Sequence, residues 1–127
     1  MRYLIDTQIF IWWMEKSKKI PKDFYEILND PNNQITLSVA SIWEIIIKKA
    51  KGKLKPPRDI KSGIKASRFT VLAIDATHVL GTEKLPQYHN DPFHRILISQ
   101  SKTEKLVFIT SDKTLQRYNT KFLKLKN

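Results

Sequence analysis

Short apolar runs alternate with amphipathic stretches along almost the whole chain. Residues 2–6 hold Tyr3-Leu4-Ile5, a compact apolar run stopped by Asp6-Thr7, which reads as a buried strand. A helical segment follows over residues 8–14, and residues 16–19 read as an exposed connection. Pro21 is placed to start a second helix, because the first turn has no use for the N–H that proline lacks. Pro31-Asn32-Asn33 marks a loop, and Ile35-Thr36-Leu37 a second strand. Ser38 or Ser41 can cap the next helix, which runs to about Lys51 and stops at Gly52. Along it Ile42, Ile45 and Ile46 share a face, with Glu44 to one side.

Pro56-Pro57 breaks the chain before an amphipathic segment over residues 60–69. Residues 71–74 form a third strand, and Asp75 or Thr77 can cap a short helix after it. Residues 85–92 make a loop, followed by a helix to about Lys102 and a fourth strand over residues 106–109. A short helix at 113–118 and a strand at Phe122-Leu123 complete the pattern.

Strands alternating with helices imply an α/β fold: a three-layer sandwich whose mostly parallel central sheet is flanked by helices. With no repeat, linker or low-complexity stretch, residues 1–127 read as a single domain. In open sheets of this type ligands bind beyond the carboxyl ends of the strands. Asp6 and Asp112 follow two such ends, and Glu44, on the helix after the second strand, opens toward the same edge.

Charge makes that rim unusual. The chain has 23 Lys+Arg against 12 Asp+Glu, a formal net charge of +11. Such a field draws nucleic acid, an anionic membrane surface or an acidic partner, although it also describes a soluble basic surface. Cysteine is absent, which excludes disulfides, thiolate nucleophiles and cysteine-based zinc sites and fits a reducing cytoplasm. The N-terminus reads directly into a strand, so no basic-then-apolar leader is expected, and no apolar run approaches the ~20 residues needed to span a bilayer. A cytoplasmic protein without a membrane partner is expected.

Each of four acids has an ordinary explanation. Asp6 and Asp112 can cap the helices that follow them, Asp91 before Pro92 is a common helix start, and Glu44 can pair with Lys48 one turn on. None of these explains why the acids should meet at one rim. Capping leaves a carboxylate oxygen free, and hard oxygen ligands without cysteine suit Mg²⁺ or Mn²⁺ rather than zinc. Such a cation lowers the pKa of a water and offsets charge building on phosphorus, while lysines and arginines hold phosphates. Metal-assisted phosphodiester hydrolysis is the implied reaction class.

The motifs resemble those of the PIN-domain ribonucleases, in particular the VapC-type toxins of bacterial type II toxin–antitoxin pairs, over essentially the whole chain. Tyr3-Leu4-Ile5-Asp6-Thr7 is similar to the family's opening strand with its first acid. The segment from Ser38 through Trp43-Glu44 to Lys48, followed by Gly52-Lys53-Leu54, is similar to the one carrying the second. His89-Asn90-Asp91-Pro92-Phe93-His94-Arg95 resembles an Asp-Pro-Phe-Asp-Arg segment of one branch, and Thr110-Ser111-Asp112 the closing Thr-x-Asp. The resemblance implies Asp6, Glu44, Asp91 and Asp112 as catalytic residues. Asp6, Asp91 and Asp112 would hold Mg²⁺ or Mn²⁺. An RNA substrate, a small antitoxin that inserts a segment into the acidic groove, and a homodimer are implied with them.

Two departures stand out. Gln8 occupies a position where that branch has histidine, and His94 one where it has a second aspartate. Asp91 and His94 lie one helical turn apart, so either can face the metal; Asp91 is the favoured ligand. A nitrogen ligand at 94 would weaken activity or shift metal choice toward Mn²⁺. It must be neutral to ligate, so metal affinity should fall below about pH 6.5.

Thr7, Thr110 and Ser111 either hydrogen-bond the metal-binding carboxylates or simply cap helices. Lys48, Lys49 and Lys51 either touch RNA or form a solvated face; Arg95 contacts phosphate or an acid on its own helix. His78 and His89 read as surface or loop residues. Trp12, Trp13 and Trp43 read as core or partner-interface residues rather than stacking platforms. The expected function is a metal-dependent endoribonuclease, the toxin of a toxin–antitoxin pair. A degenerate PIN domain that binds RNA or protein without cutting is the alternative, and a metal-dependent phosphatase or DNA nuclease a third.

Overall fold

Five short strands line up in the order β3-β2-β1-β4-β5, and every neighbouring pair is parallel. The computed structural model describes residues 1–53, 59–118 and 123–125. In chain order the elements are β1 (Arg2–Ile5), α1 (Thr7–Met14), α2 (Lys22–Asn29), β2 (Gln34–Ser38), α3 (Val39–Ala50) and α4 (Ile60–Ser67). They continue with β3 (Thr70–Leu72), α5 (Ala76–Gly81), α6 (Pro92–Glu104), β4 (Val107–Thr110) and β5 (Leu123–Leu125). Single 3₁₀ turns occupy Thr82–Lys84 and Lys113–Arg117. The expected α/β architecture is present, with a wholly parallel sheet among the described strands. Pro56-Pro57, Lys55 and Phe122 lie outside the described residues.

The sheet is covered on both faces, which is why its strands read as unbroken apolar runs rather than alternating ones. Successive side chains point to opposite faces. Tyr3 and Ile5 therefore join one core with Ile9, Phe10, Phe24, Leu37, Ile45 and Ile109. Leu4, between them, joins the other with Ala40, Leu97, Leu106, Phe108 and Leu115. β1 is the central strand, and its Leu4 and Ile5 are fully buried.

Two expectations shift at element ends. β3 stops at Leu72 rather than residue 74, because its partner β2 ends at Ser38, paired with Leu72, where the chain turns into α3. Ala73 O instead accepts from Gln100 Nε2 of α6 at 3.3 Å. α6 runs two residues beyond Lys102 and closes on Lys105 in the left-handed region at φ 57°. α3 ends as the sequence suggests: Gly52 has φ +69°, its N–H reaches Lys49 O at 3.1 Å, and Lys53 N–H reaches Lys48 O at 2.9 Å. That paired closure needs a left-handed residue, which glycine supplies without steric cost. Among the described residues, no helix is long and apolar enough to cross a membrane.

Candidate active site

Parallel pairing places strand ends side by side, and the acids with them. Ile5 pairs with Ile109, so Asp6 and Thr110 are the next residues along two adjacent strands. Asp6 is 2% exposed and caps α1: Oδ1 accepts from Thr7 N at 2.7 Å and Oδ2 from Thr110 Oγ1 at 2.6 Å. Capping and convergence on the rim thus coexist. Thr110 Oγ1 also accepts from Asp112 N at 3.0 Å, and Asp112 caps its own 3₁₀ turn by accepting from Thr114 N at 2.9 Å. Thr110, rather than Ser111, is the hydroxyl bound to these acids.

Glu44 arrives from α3. Ser38, not Ser41, caps that helix through Ala40 N at 3.0 Å, leaving Ser41 Oγ 2.9 Å from Thr7 Oγ1. Thr7 Oγ1 donates to Glu44 Oε1 at 2.7 Å, and Lys48 Nζ sits 2.8 Å from Oε2. The pairing with Lys48 therefore exists, but Glu44 is no surface residue: it is 5% exposed, with both oxygens engaged. Its burial is bearable because a carboxylate so bonded keeps hydrogen bonds and a countercharge. The helix face differs accordingly. α3 buries Ala40, Ser41, Glu44 and Ile45, while Ile46, expected on the apolar face, is exposed along with Val39 and Trp43.

Asp91 caps α6, accepting from Phe93 N at 2.8 Å with Pro92 in the first turn. One turn on, His94 stands among the carboxylates. Its Nε2 lies 3.5 Å from Asp6 Oδ1, and its Nδ1 lies 3.6 Å from both Asp91 Oδ2 and Asp112 Oδ2. Three acids from three elements thus converge on one imidazole. Burial works to lower the His94 pKa. The hydrogen bond and charge of Asp6, with the charges of Asp91 and Asp112, outweigh it and raise the value to about 9. Asp112 is held below the ordinary carboxylate range: burial pushes upward, but Thr114, the His94 charge and His89 together prevail.

His89, expected to be an uninvolved loop residue, belongs to this group. Its Nε2 is 3.0 Å from His94 Nδ1 and 3.4 Å from Asp112 Oδ2, and its Nδ1 accepts from Asp91 N at 3.0 Å. Only the closure of its loop brings it there, and Arg95 holds that loop. The guanidinium donates to Thr82 O at 2.7 Å, Pro86 O at 2.9 Å and Leu85 O at 3.3 Å. Arg95 is therefore spent on backbone carbonyls, not on phosphate or an acid of its own helix.

His78 also departs from expectation. It is 1% exposed, and with Asp75 as the actual cap it closes a reciprocal box at the start of α5. Its Nε2 lies 2.8 Å from Glu104 Oε2 of α6. Nδ1 closes the cap of its own helix and Nε2 ties α5 to α6, and with both nitrogens occupied burial is tolerable. Trp12 and Trp13 pack on the core as expected, and Trp43 is 59% exposed.

The donor set fits a hard divalent cation. Each of Asp6, Asp91 and Asp112 has an oxygen directed at the centre that His94 shares, and the raised pKa of that imidazole shows how strongly the place favours positive charge.

Several solved structures share this fold. VapBC2 from Rickettsia felis, bound to a DNA fragment from their promoter, aligns with TM-score 0.71 at 17% identity over 100% of both chains. VapBC-1 from nontypeable Haemophilus influenzae aligns with TM-score 0.65 at 22% identity, over 100% of this chain and 98% of that one. A toxin–antitoxin complex from Klebsiella pneumoniae aligns with TM-score 0.66 at 18% identity, over 96% and 95%. No curated protein matches the sequence significantly. The PIN domain family model matches residues 3–121, nearly the whole chain, and the chain belongs to that family.

Proposed function

We propose that this protein is a divalent-cation-dependent endoribonuclease and the toxin of a toxin–antitoxin pair. The observation that carries the reading is the convergence of Asp6, Asp91 and Asp112, from three separate elements, on one centre in a chain of net charge +11. PIN membership supports a nuclease. Likeness to VapBC and other toxin–antitoxin complexes supports a small antitoxin partner; a homodimer and a cytoplasmic setting belong to the same proposal.

In this reading Asp6, Asp91 and Asp112 hold Mg²⁺ or Mn²⁺, and His94 can add a nitrogen ligand once it gives up its proton. The bound cation would lower the pKa of the attacking water and offset charge at phosphorus. Thr7 and Thr110 fix the two Asp6 oxygens and so aim the remaining lone pairs. Glu44 acts through Thr7 and Lys48, positioning one and restraining the other. Exposed Lys49 and Lys51 meet the phosphate backbone, with Lys48 partly neutralised by Glu44.

Purified protein incubated with total RNA should cut it in Mn²⁺ or Mg²⁺ and stop in EDTA. Cleavage that persists in EDTA, or fails with every divalent cation, removes this reading. One observation favours the second reading, a PIN domain that binds RNA or protein without cutting: the His94 imidazolium can itself neutralise the acids where a cation would. Restored cleavage in His94→Asp, with none in the natural chain, would select it.

A further inference from the structure

Beside the carboxylates, the last turns of α3 face the first turn of α6 across a cavity of 240 Å³. Its apolar wall is Ile47, Pro92 and Phe93; its cations are Lys48, Lys51 and Lys53; Glu44 and Asp91 of the candidate site form its inner end. Lys48 is paired with Glu44, whereas Lys51 and Lys53 are exposed and form no ion pair among the described residues. Behind the wall, Trp43 meets Phe93 edge to face at 5.5 Å between ring centroids. The core does not account for so exposed a tryptophan.

Resting on the ribonuclease reading, we propose that this cavity seats the base of one unpaired nucleotide flanking the cleaved bond. Phe93, Pro92 and Ile47 form its stacking wall, Trp43 backs Phe93, and Lys51 and Lys53 take the phosphate beyond it. Apolar surface with an aromatic ring beside cations is the complement of a nucleotide, which presents a π-face and an anion on one short unit. Bases in a duplex are stacked on one another and cannot enter, so the strand is single there. A second copy of this chain, itself at net charge +11, would bring like charge against the lysines. An acidic peptide would satisfy the lysines but has no need of the wall.

The test is equilibrium binding of short labelled oligoribonucleotides in EDTA, so that no strand is cut, with intact strands compared with strands carrying abasic residues. Ile47→Trp fills the cavity, and Trp43→Ala removes the buttress from an exposed position; thermal melts check that both fold. Each should weaken intact strands by about tenfold and leave abasic strands unchanged, while Trp43→Phe keeps most of the affinity. Lys51→Ala with Lys53→Ala should weaken both kinds of strand alike and flatten the log–log salt slope by about 0.7 per phosphate released. Equal affinity of the natural chain and Ile47→Trp for intact strands would overturn the proposal. So would a Trp43→Ala variant that loses sedimentation mass with RNA affinity unchanged, which would make this face a contact between copies. Base-dependent binding by a protein that never cuts sinks the ribonuclease reading and leaves the subsite standing. Cutting and binding that ignore every cavity variant do the reverse.

Discussion

His89 and His94 meet nearly edge to face, Nε2 of the first 3.0 Å from Nδ1 of the second. One of two facing nitrogens must carry a proton and the other a lone pair. His89 Nδ1 accepts from Asp91 N, so neutral His89 carries its proton on Nε2 and donates to His94. A doubly protonated His94 satisfies the three carboxylates but not this contact.

Metal binding should report this directly. A proton on His94 competes with the cation, and its pKa is raised to about 9 rather than resting at 6.5. Apparent Mn²⁺ affinity should thus keep rising between about pH 7 and 9, instead of levelling above 6.5 as an unperturbed imidazole would make it. His94→Asp should strengthen Mg²⁺ binding and flatten that rise. Calorimetric titration of both proteins at two pH values checks it; identical profiles would remove His94 from the centre.

Stability without metal should carry the same signature. The folded pKa of His94 lies above the unfolded value, so its contribution is fully present below about pH 6.5 and is lost as pH rises through about 9. A shift of that size corresponds to about 3 kcal/mol at most, before solvent screening. Chemical denaturation in EDTA should show the natural chain losing stability across this window and His94→Ala losing much less.

Thr7 holds two acids at once, Asp6 through its backbone and Glu44 through its hydroxyl. Thr7→Val keeps the first bond and strands the buried Glu44 oxygen, which should cost about 1–3 kcal/mol. Thr7→Ser should cost far less. Denaturant midpoints for the pair test this, and a valine variant as stable as the serine one would contradict it.

Asp6→Asn should abolish cleavage and leave the fold. An amide still accepts from Thr7 N and can face Thr110 Oγ1 with its NH₂, since that hydroxyl is able to accept instead. What it loses is the charge that would hold a cation. A variant that still folds and melts cooperatively but cuts no RNA is the expected pair of results; full activity would place the chemistry elsewhere.

The sequence by itself determined where strands and helices alternate, because apolar runs and caps are local properties of the chain. It also placed Asp6 and Asp112 on one rim, since residues after parallel strands must emerge at the same edge. Only the tertiary structure decided which side chains meet there. Glu44 turns inward and Ile46 outward because Thr7, from another helix, supplies a hydrogen bond that no helical periodicity records. His89 reaches the acids because Arg95 gathers the loop carbonyls of Thr82, Leu85 and Pro86 into one turn. His94 acquires its charge from carboxylates 3 and 18 residues away along the chain and from Asp6 at the other end of it. Interactions among distant residues depend on positions that the packed sheet alone assigns, and a one-dimensional pattern does not contain them.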